Sequence, residues 1–151
     1  MSVADQRSTG DRPMYDKILV GTDGSDSANR AVQYAMTLAE RFDSELHAVT
    51  VVNTQRYGEP ALSSMELVLT ELEERGDKQL QEIREQCEQH GIDVVTECFH
   101  GEPSEELIRY ADEHEVGVIV LGYQGRTHSG DRMGSTASRV GNGTDSPVMV
   151  V

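Results

Sequence analysis

Two stretches of the chain carry the residue types that ligand chemistry needs. The first is Gly21-Thr22-Asp23-Gly24-Ser25. The second is Gly122-Tyr-Gln124-Gly125-Arg126-Thr-His-Ser-Gly130-Asp-Arg-Met-Gly134-Ser135-Thr136. Four glycines in the thirteen residues from Gly122 to Gly134 let a backbone turn tightly and aim its N–H groups inward. Gly134-Ser135-Thr136 then opens a helix, and backbone donors beside a helix N-terminus make a cradle for phosphate. Gln124 and Arg126 lie within the same loop. From Val116 to Thr144 the only acid is Asp131, against Arg126, Arg132 and Arg139, so an anion can approach this segment at low cost. The alternative is a mobile glycine loop ahead of a capped helix. Gly21 and Thr22 lead into Asp23, whose carboxylate can accept from ribose hydroxyls; Ser25 and Asp26 are better placed to cap the helix that follows. An adenine would need an apolar slot edged by backbone donors and acceptors, and the strand around Ala48 could provide one.

The elements that must hold these loops alternate. Lys17–Thr22 is a short β-branched run ended by a turn signal. Ala28, Ala31, Val32, Ala35, Met36, Ala39 and Phe42 recur at helical spacing. Glu45–Val52 is a second strand, and 54–63 a loop. A long helix over 64–90 carries an apolar stripe through Met65, Leu69, Leu72, Gly76, Leu80, Ile83 and Cys87, with Gly91 as its stop. Asp93–Phe99 is a third strand. Pro103, Glu105 and Glu106 suit the start of a helix whose apolar side is Leu107, Ile108 and Ala111. Val116–Leu121 is a fourth strand, residues 134–140 a short helix, and Pro147–Val151 the last strand. Strands that are continuous apolar runs and alternate with helices predict an α/β fold: a doubly wound, Rossmann-like parallel sheet with helices on both faces. Ligands in such sheets bind beyond the carboxyl ends of the strands, where both loops fall.

Composition narrows the partners. Twenty-seven acids against 13 bases give a net charge of -14, which repels phosphate backbones and anionic lipid; nucleic-acid and membrane binding are not expected. The bases are eleven Arg and two Lys, Lys17 and Lys78. Acid-rich, lysine-poor chains suit a cytosol of very high salt, where screening removes self-repulsion; the plainer reading is an acidic soluble protein, and the halophilic one is preferred. Residues 1–14 are polar, lack the apolar core of a signal peptide and read as a disordered arm before a single domain over 15–151. Two cysteines, Cys87 and Cys98, form no disulfide framework, which fits the cytoplasm.

Ile18-Leu-Val-Gly-Thr-Asp-Gly-Ser25, Leu46-His-Ala-Val49, Gly101-Glu-Pro103, Val118-Ile-Val-Leu-Gly122, the Gly122-x-x-Gly125 pair with Gly134-Ser135, and Pro147-Val-Met-Val-Val151 together resemble the universal stress protein family, from Tyr15 to Val151. The resemblance implies a five-stranded parallel sheet of order 3-2-1-4-5. It also implies a homodimer joined through the last strand, Val148–Val151, and ATP, with or without Mg2+, as ligand. Carried over by position, Asp23 takes the ribose and the backbone near Ala48 meets adenine. Gly122, Gly125, Gly134, Ser135 and Thr136 hold the phosphates. Many members of the family bind ATP and some do not; the reading for this chain is a stress-response protein that signals by nucleotide occupancy, with any hydrolysis slow because no residue is placed to activate water. This chain departs from the pattern in two ways: eight residues, Arg126 to Met133, stand between Gly125 and Gly134 where the family has nine, and Gly130-Asp-Arg-Met133 replaces a leucine-rich approach. The departures keep open a second reading, a dimeric interaction module that does not bind ATP.

Other signals are weaker. Cys87, His90, Cys98 and His100 are metal-ligand types, but Cys87 falls on the core stripe and Cys98 and His100 on a separate strand. His128 in the glycine loop reads equally as a phosphate contact or a solvated side chain. There is no Gly-x-Ser-x-Gly elbow and no Walker Gly-Lys-Ser/Thr. A nucleotide-dependent transferase or hydrolase would need a His-x-Gly-His or Ser-Gly-Gly motif, which the chain lacks.

Overall fold

The computed structural model describes residues 16–54, 62–124 and 133–151. The proposed arm over 1–14 lies outside them. The elements follow in the order β1 (Lys17–Gly21), α1 (Asp26–Phe42), β2 (Glu45–Val52), α2 (Leu62–Gln89), β3 (Val94–His100), α3 (Pro103–His114), β4 (Val118–Leu121), α4 (Ser135–Gly143) and β5 (Val148–Val150). The strands form one five-stranded sheet in the order β3-β2-β1-β4-β5, every pair parallel, as the resemblance implies.

The hydrophobic pattern explains the two layers. Strands β1, β2 and β4 are central and almost wholly buried, so they need apolar side chains on both faces. One face, with Ile18, Val20, Leu46 and Ala48, packs on the apolar stripes of α1 and α2. The other, with Leu19, Val49, Ile119 and Leu121, packs on α3 and α4. The edge strands β3 and β5 are only half-buried. In α1 the stripe from Ala28 to Ala39 is buried as its spacing requires, but Phe42 is 42% exposed at the helix's last residue, where the chain turns away.

Three helices end in the same left-handed turn. Asp43, Gly91 and Glu115 all have positive φ, and the amides of Ser44, Ile92 and Val116 bond back to the carbonyls of Ala39, Cys87 and Ala111. Only Gly91 signals this in sequence. The turn at Glu115 leaves Val116 closing α3, so β4 begins at Val118 rather than at Val116.

Candidate functional site

The carboxyl ends of β1, β2 and β4 open into a cleft of about 620 Å3. That is within the range of sites that enclose a small ligand, about 300–1,000 Å3. It sits at the switch point, since β1 leads through α1 to β2 on one side while β4 lies on the other. Gly21, Thr22 and Asp23 line it from β1, Gly122 and Gln124 from the end of β4, and Gly134, Ser135 and Thr136 from the start of α4. The two stretches singled out by composition therefore meet. Gly125 and Arg126 lie outside the described residues.

Ala48 does not line the cleft. It is fully buried against α1 and α2, and the residues that face the ligand space are those of β2 from Val49 to Val52 and Asn53 just beyond it. The pleat and the strand's length set this. The cleft begins where β1 ends, and Gly21 pairs with Val49.

Local chemistry fixes each loop. The Asp23 carboxylate accepts from the Ser25 amide at 2.9 Å, a tight Asx turn, and Ser25 Oγ accepts from the Ala28 amide at 3.1 Å as the cap of α1. Thr22 N–H donates to the Val49 carbonyl at 3.0 Å. At the end of β4, Gly122 approaches α1 so closely that a Cβ would lie 2.6 Å from the Ser27 carbonyl carbon. Beside it, buried Ser27 accepts from the Gln124 amide at 3.1 Å and has its hydroxyl 3.5 Å from the Val151 carbonyl. The Tyr123 amide donates to Val151 O at 2.7 Å and the Gly134 amide to Tyr123 O at 2.6 Å. The amides of Gln124 and Gly134 are thus spent within the protein, and they do not face a ligand as the glycine pattern suggests.

The first turn of α4 is different. Its N-cap, Gly134, has no side chain to offer, and the first bond back into the helix is from the Ser138 amide to Gly134 O at 3.1 Å. The amides of Ser135, Thr136 and Ala137 precede that bond, and all three residues line the cleft. By contrast α1 is capped by Ser25 and α3 by Glu102. Glu102 does more than cap. Its carboxylate accepts from the Ser104 hydroxyl, from the Glu105 amide at 2.9 Å and from Arg139 of α4 at 3.2 Å. Burial alone would raise its pKa, but these hydrogen bonds and the Arg139 charge together hold it below the usual carboxylate range.

Three contributors were not foreseen. Ser27 positions the backbone after β4 yet looks in sequence like an ordinary first-turn serine. Arg75 and Gln79 of α2 line the cleft from a helix whose periodicity reads only as core and solvent. The four metal-ligand types are dispersed: Cys87 is in the core, Cys98 packs near Gly76, His90 pairs with Glu40, and His100 with Glu73.

A second polar cluster lies at the other end of β2. Buried His47 places Nδ1 2.6 Å from Tyr110 Oη and Nε2 2.6 Å from a Glu45 carboxylate oxygen. An ionised carboxylate only accepts, so Nε2 carries the proton and Nδ1 accepts from the tyrosine. Burial pushes the His47 pKa down despite Glu45, and burial pushes Tyr110 up to about 12.

A doubly wound sheet with a helix N-terminus and a carboxylate at its switch point defines the class of Rossmann-like ligand-binding domains. The universal stress protein family model matches residues 14–151, and the chain belongs to that family. It is 36% identical over 141 residues to universal stress protein MJ0531 of Methanocaldococcus jannaschii, covering 91% of this chain and 82% of that one. Among solved structures it is similar to hypothetical protein MJ0577 of the same organism, with a TM-score of 0.85 and 25% identity over 92% of this chain and 96% of the other. It is also similar to a universal stress protein in complex with cAMP, with a TM-score of 0.66 and 25% identity over 91% and 96% of the two chains.

Proposed function

We propose that the cleft binds an adenine ribonucleotide, ATP in the first instance, and that the protein acts in stress response through occupancy of that site. The observation that carries this reading is the uncapped first turn of α4, opening into a ligand-sized cleft with Asp23 on the facing loop. The amides of Ser135, Thr136 and Ala137 suit a phosphate group, and the helix dipole favours its charge by about 0.3–1 kcal/mol. Asp23 takes ribose hydroxyls, the backbone of Val49 to Asn53 edges the base, and Gly125 and Arg126 complete the phosphate loop. The adenine ligand of the related cAMP complex supports the base assignment. Mg2+ would be carried with the phosphates, and any hydrolysis is slow. The working form is a cytoplasmic homodimer joined along β5, whose half-buried edge is left open by the sheet order. Among the described residues no helix is long and apolar enough to cross a membrane.

The test is calorimetric titration of the full chain with ATP and Mg2+ in molar KCl, beside a thermal-shift measurement. Heat of binding and a rise in Tm are expected. Neither signal at millimolar ATP removes the reading. A second reading, an interaction module with no nucleotide, is favoured by the Gln124 and Gly134 amides being already bonded and by the eight-residue approach to Gly134. Under it, one residue inserted before Gly134 would create binding that the native chain lacks.

A further inference from the structure

Helix α2 is longer than the strands it covers. Its 28 residues span about 42 Å, against about 26 Å for the eight residues of β2. The helix runs antiparallel to β2, and its far end is fixed where Ile92 bonds back to Cys87 beside the start of β3. The surplus therefore projects past the carboxyl ends of the strands, over the cleft. Gly76 marks the crossing point. A Cβ there would lie 3.1 Å from Thr50 Cγ2, near the end of β2, so the missing side chain lets the helix settle onto the strand. Leu72, Arg75, Gly76 and Gln79 then face the cleft.

Gln79 stands against the loop that carries Asp23. A Cβ at Gly24 would overlap Gln79 Nε2, so the carboxamide rests on the glycine directly after Asp23. Gly24 has φ +80, a conformation that also favours glycine. Arg75 sits one turn nearer the open end of the helix, about 6 Å along its axis. It is the only cation among the described residues lining the cleft, in a protein of net charge -14.

We propose that the overhang of α2 is a side-chain wall of the ligand site that selects ribonucleotides: Gln79, beside Asp23, reads the ribose hydroxyls, and Arg75 attracts the ligand's negative charge. The proposal rests on the nucleotide-binding reading above and names two residues of the same site. A carboxamide can donate to one hydroxyl and accept from another, so it pairs with a vicinal diol and loses a partner when the 2′-hydroxyl is absent.

The experiment titrates the wild-type full chain, Gln79→Ala, Arg75→Ala and Arg75→Lys with ATP and with 2′-deoxyATP by calorimetry, at two KCl concentrations. Circular dichroism confirms that each variant is folded. Wild type should prefer ATP. Gln79→Ala should weaken ATP more than 2′-deoxyATP, which keeps only the 3′-hydroxyl, and so shrink the preference between them by about threefold to tenfold, the worth of one hydrogen bond. Arg75→Ala should weaken both nucleotides and flatten the salt dependence, while Arg75→Lys restores it. An unaltered ATP to 2′-deoxyATP ratio in Gln79→Ala, or an unaltered salt dependence in Arg75→Ala, with ATP still bound, overturns this proposal alone. If wild type binds neither nucleotide, the proposal and the nucleotide-binding reading fall together.

Discussion

Arg139 Nη1 lies 3.2 Å from Glu102 Oε1, so the second turn of α4 is tied to the residue that caps α3. Two of the helices whose N-termini border the cleft, α3 and α4, are tied together by this pair. Glu102→Gln removes the charge and weakens the cap, and should cost about 1–2 kcal/mol at pH 7 in urea unfolding. The wild-type carboxyl has a folded pKa below its ordinary 4.5, so the unfolded chain takes up the proton first as pH falls. Its contribution is complete above about pH 4.5 and disappears as pH drops through the lower, folded value. The two proteins should therefore converge in stability in strong acid. A constant difference from pH 7 down to pH 3 would show that the Glu102 charge contributes nothing.

Gly122→Ala should destabilise the protein by about 1–3 kcal/mol, the usual cost of overpacking. The new Cβ would meet the Ser27 hydroxyl at 2.5 Å and, behind it, backbone that cannot swing aside: the carbonyl carbon of Ser27 and the Ala28 nitrogen at 2.8 Å. Chemical denaturation measures it. An unchanged midpoint would mean that β4 and α1 have room to separate.

Stability should also fall on both sides of neutrality because of the cluster at the base of β2. His47 is pushed below its ordinary 6.5 by burial, so acidification below that value favours the unfolded chain until the folded pKa is passed. Tyr110, pushed up to about 12, works in the opposite sense: alkalinisation above 10 ionises the unfolded chain first. Tyr110→Phe leaves Nδ1 without its donor and should cost about 1–3 kcal/mol at pH 7. It should also shallow the decline above pH 10. Urea midpoints for both proteins from pH 5 to pH 11 provide the comparison, and an alkaline limb identical in the two proteins would refute the tyrosine's part.

A net charge of -14 predicts that salt stabilises the fold. Raising KCl from 10 mM to 1 M shortens the screening length from about 30 Å to about 3 Å. Tm should rise by about 3 °C or more, corresponding to about 1 kcal/mol for a domain of this size. A Tm that is flat or falling across the series would set aside both self-repulsion and the saline origin read from the acid-rich, lysine-poor composition.

The alternation of strands and helices was legible because β1, β2 and β4 are buried on both faces and so carry unbroken apolar runs, while Ala28 to Ala39 repeat at helical spacing. That Asp23 and the Gly134 region border one cleft was legible because both fall in loops at the carboxyl ends of strands. What was not legible depends on register and on partners distant in sequence. Whether Ala48 or Val49 edges the cleft is decided by where β1 stops beside β2. That Gly134 and Gln124 spend their amides on Tyr123 and Ser27 depends on pairings across the fold. The approach of Arg75 and Gln79 follows from a helix outrunning its strands, which periodicity does not encode.

The relay from Val151 through Tyr123 to Gly134 joins the outer rim of the sheet to the threshold of α4 by two backbone hydrogen bonds. In the homodimer proposed along β5, a nucleotide that tightened that threshold would also firm the seam, and the seam would return the effect in equal measure, since linked equilibria are reciprocal. Filling one chamber would then be felt by its twin, with no moving lid needed to carry the news.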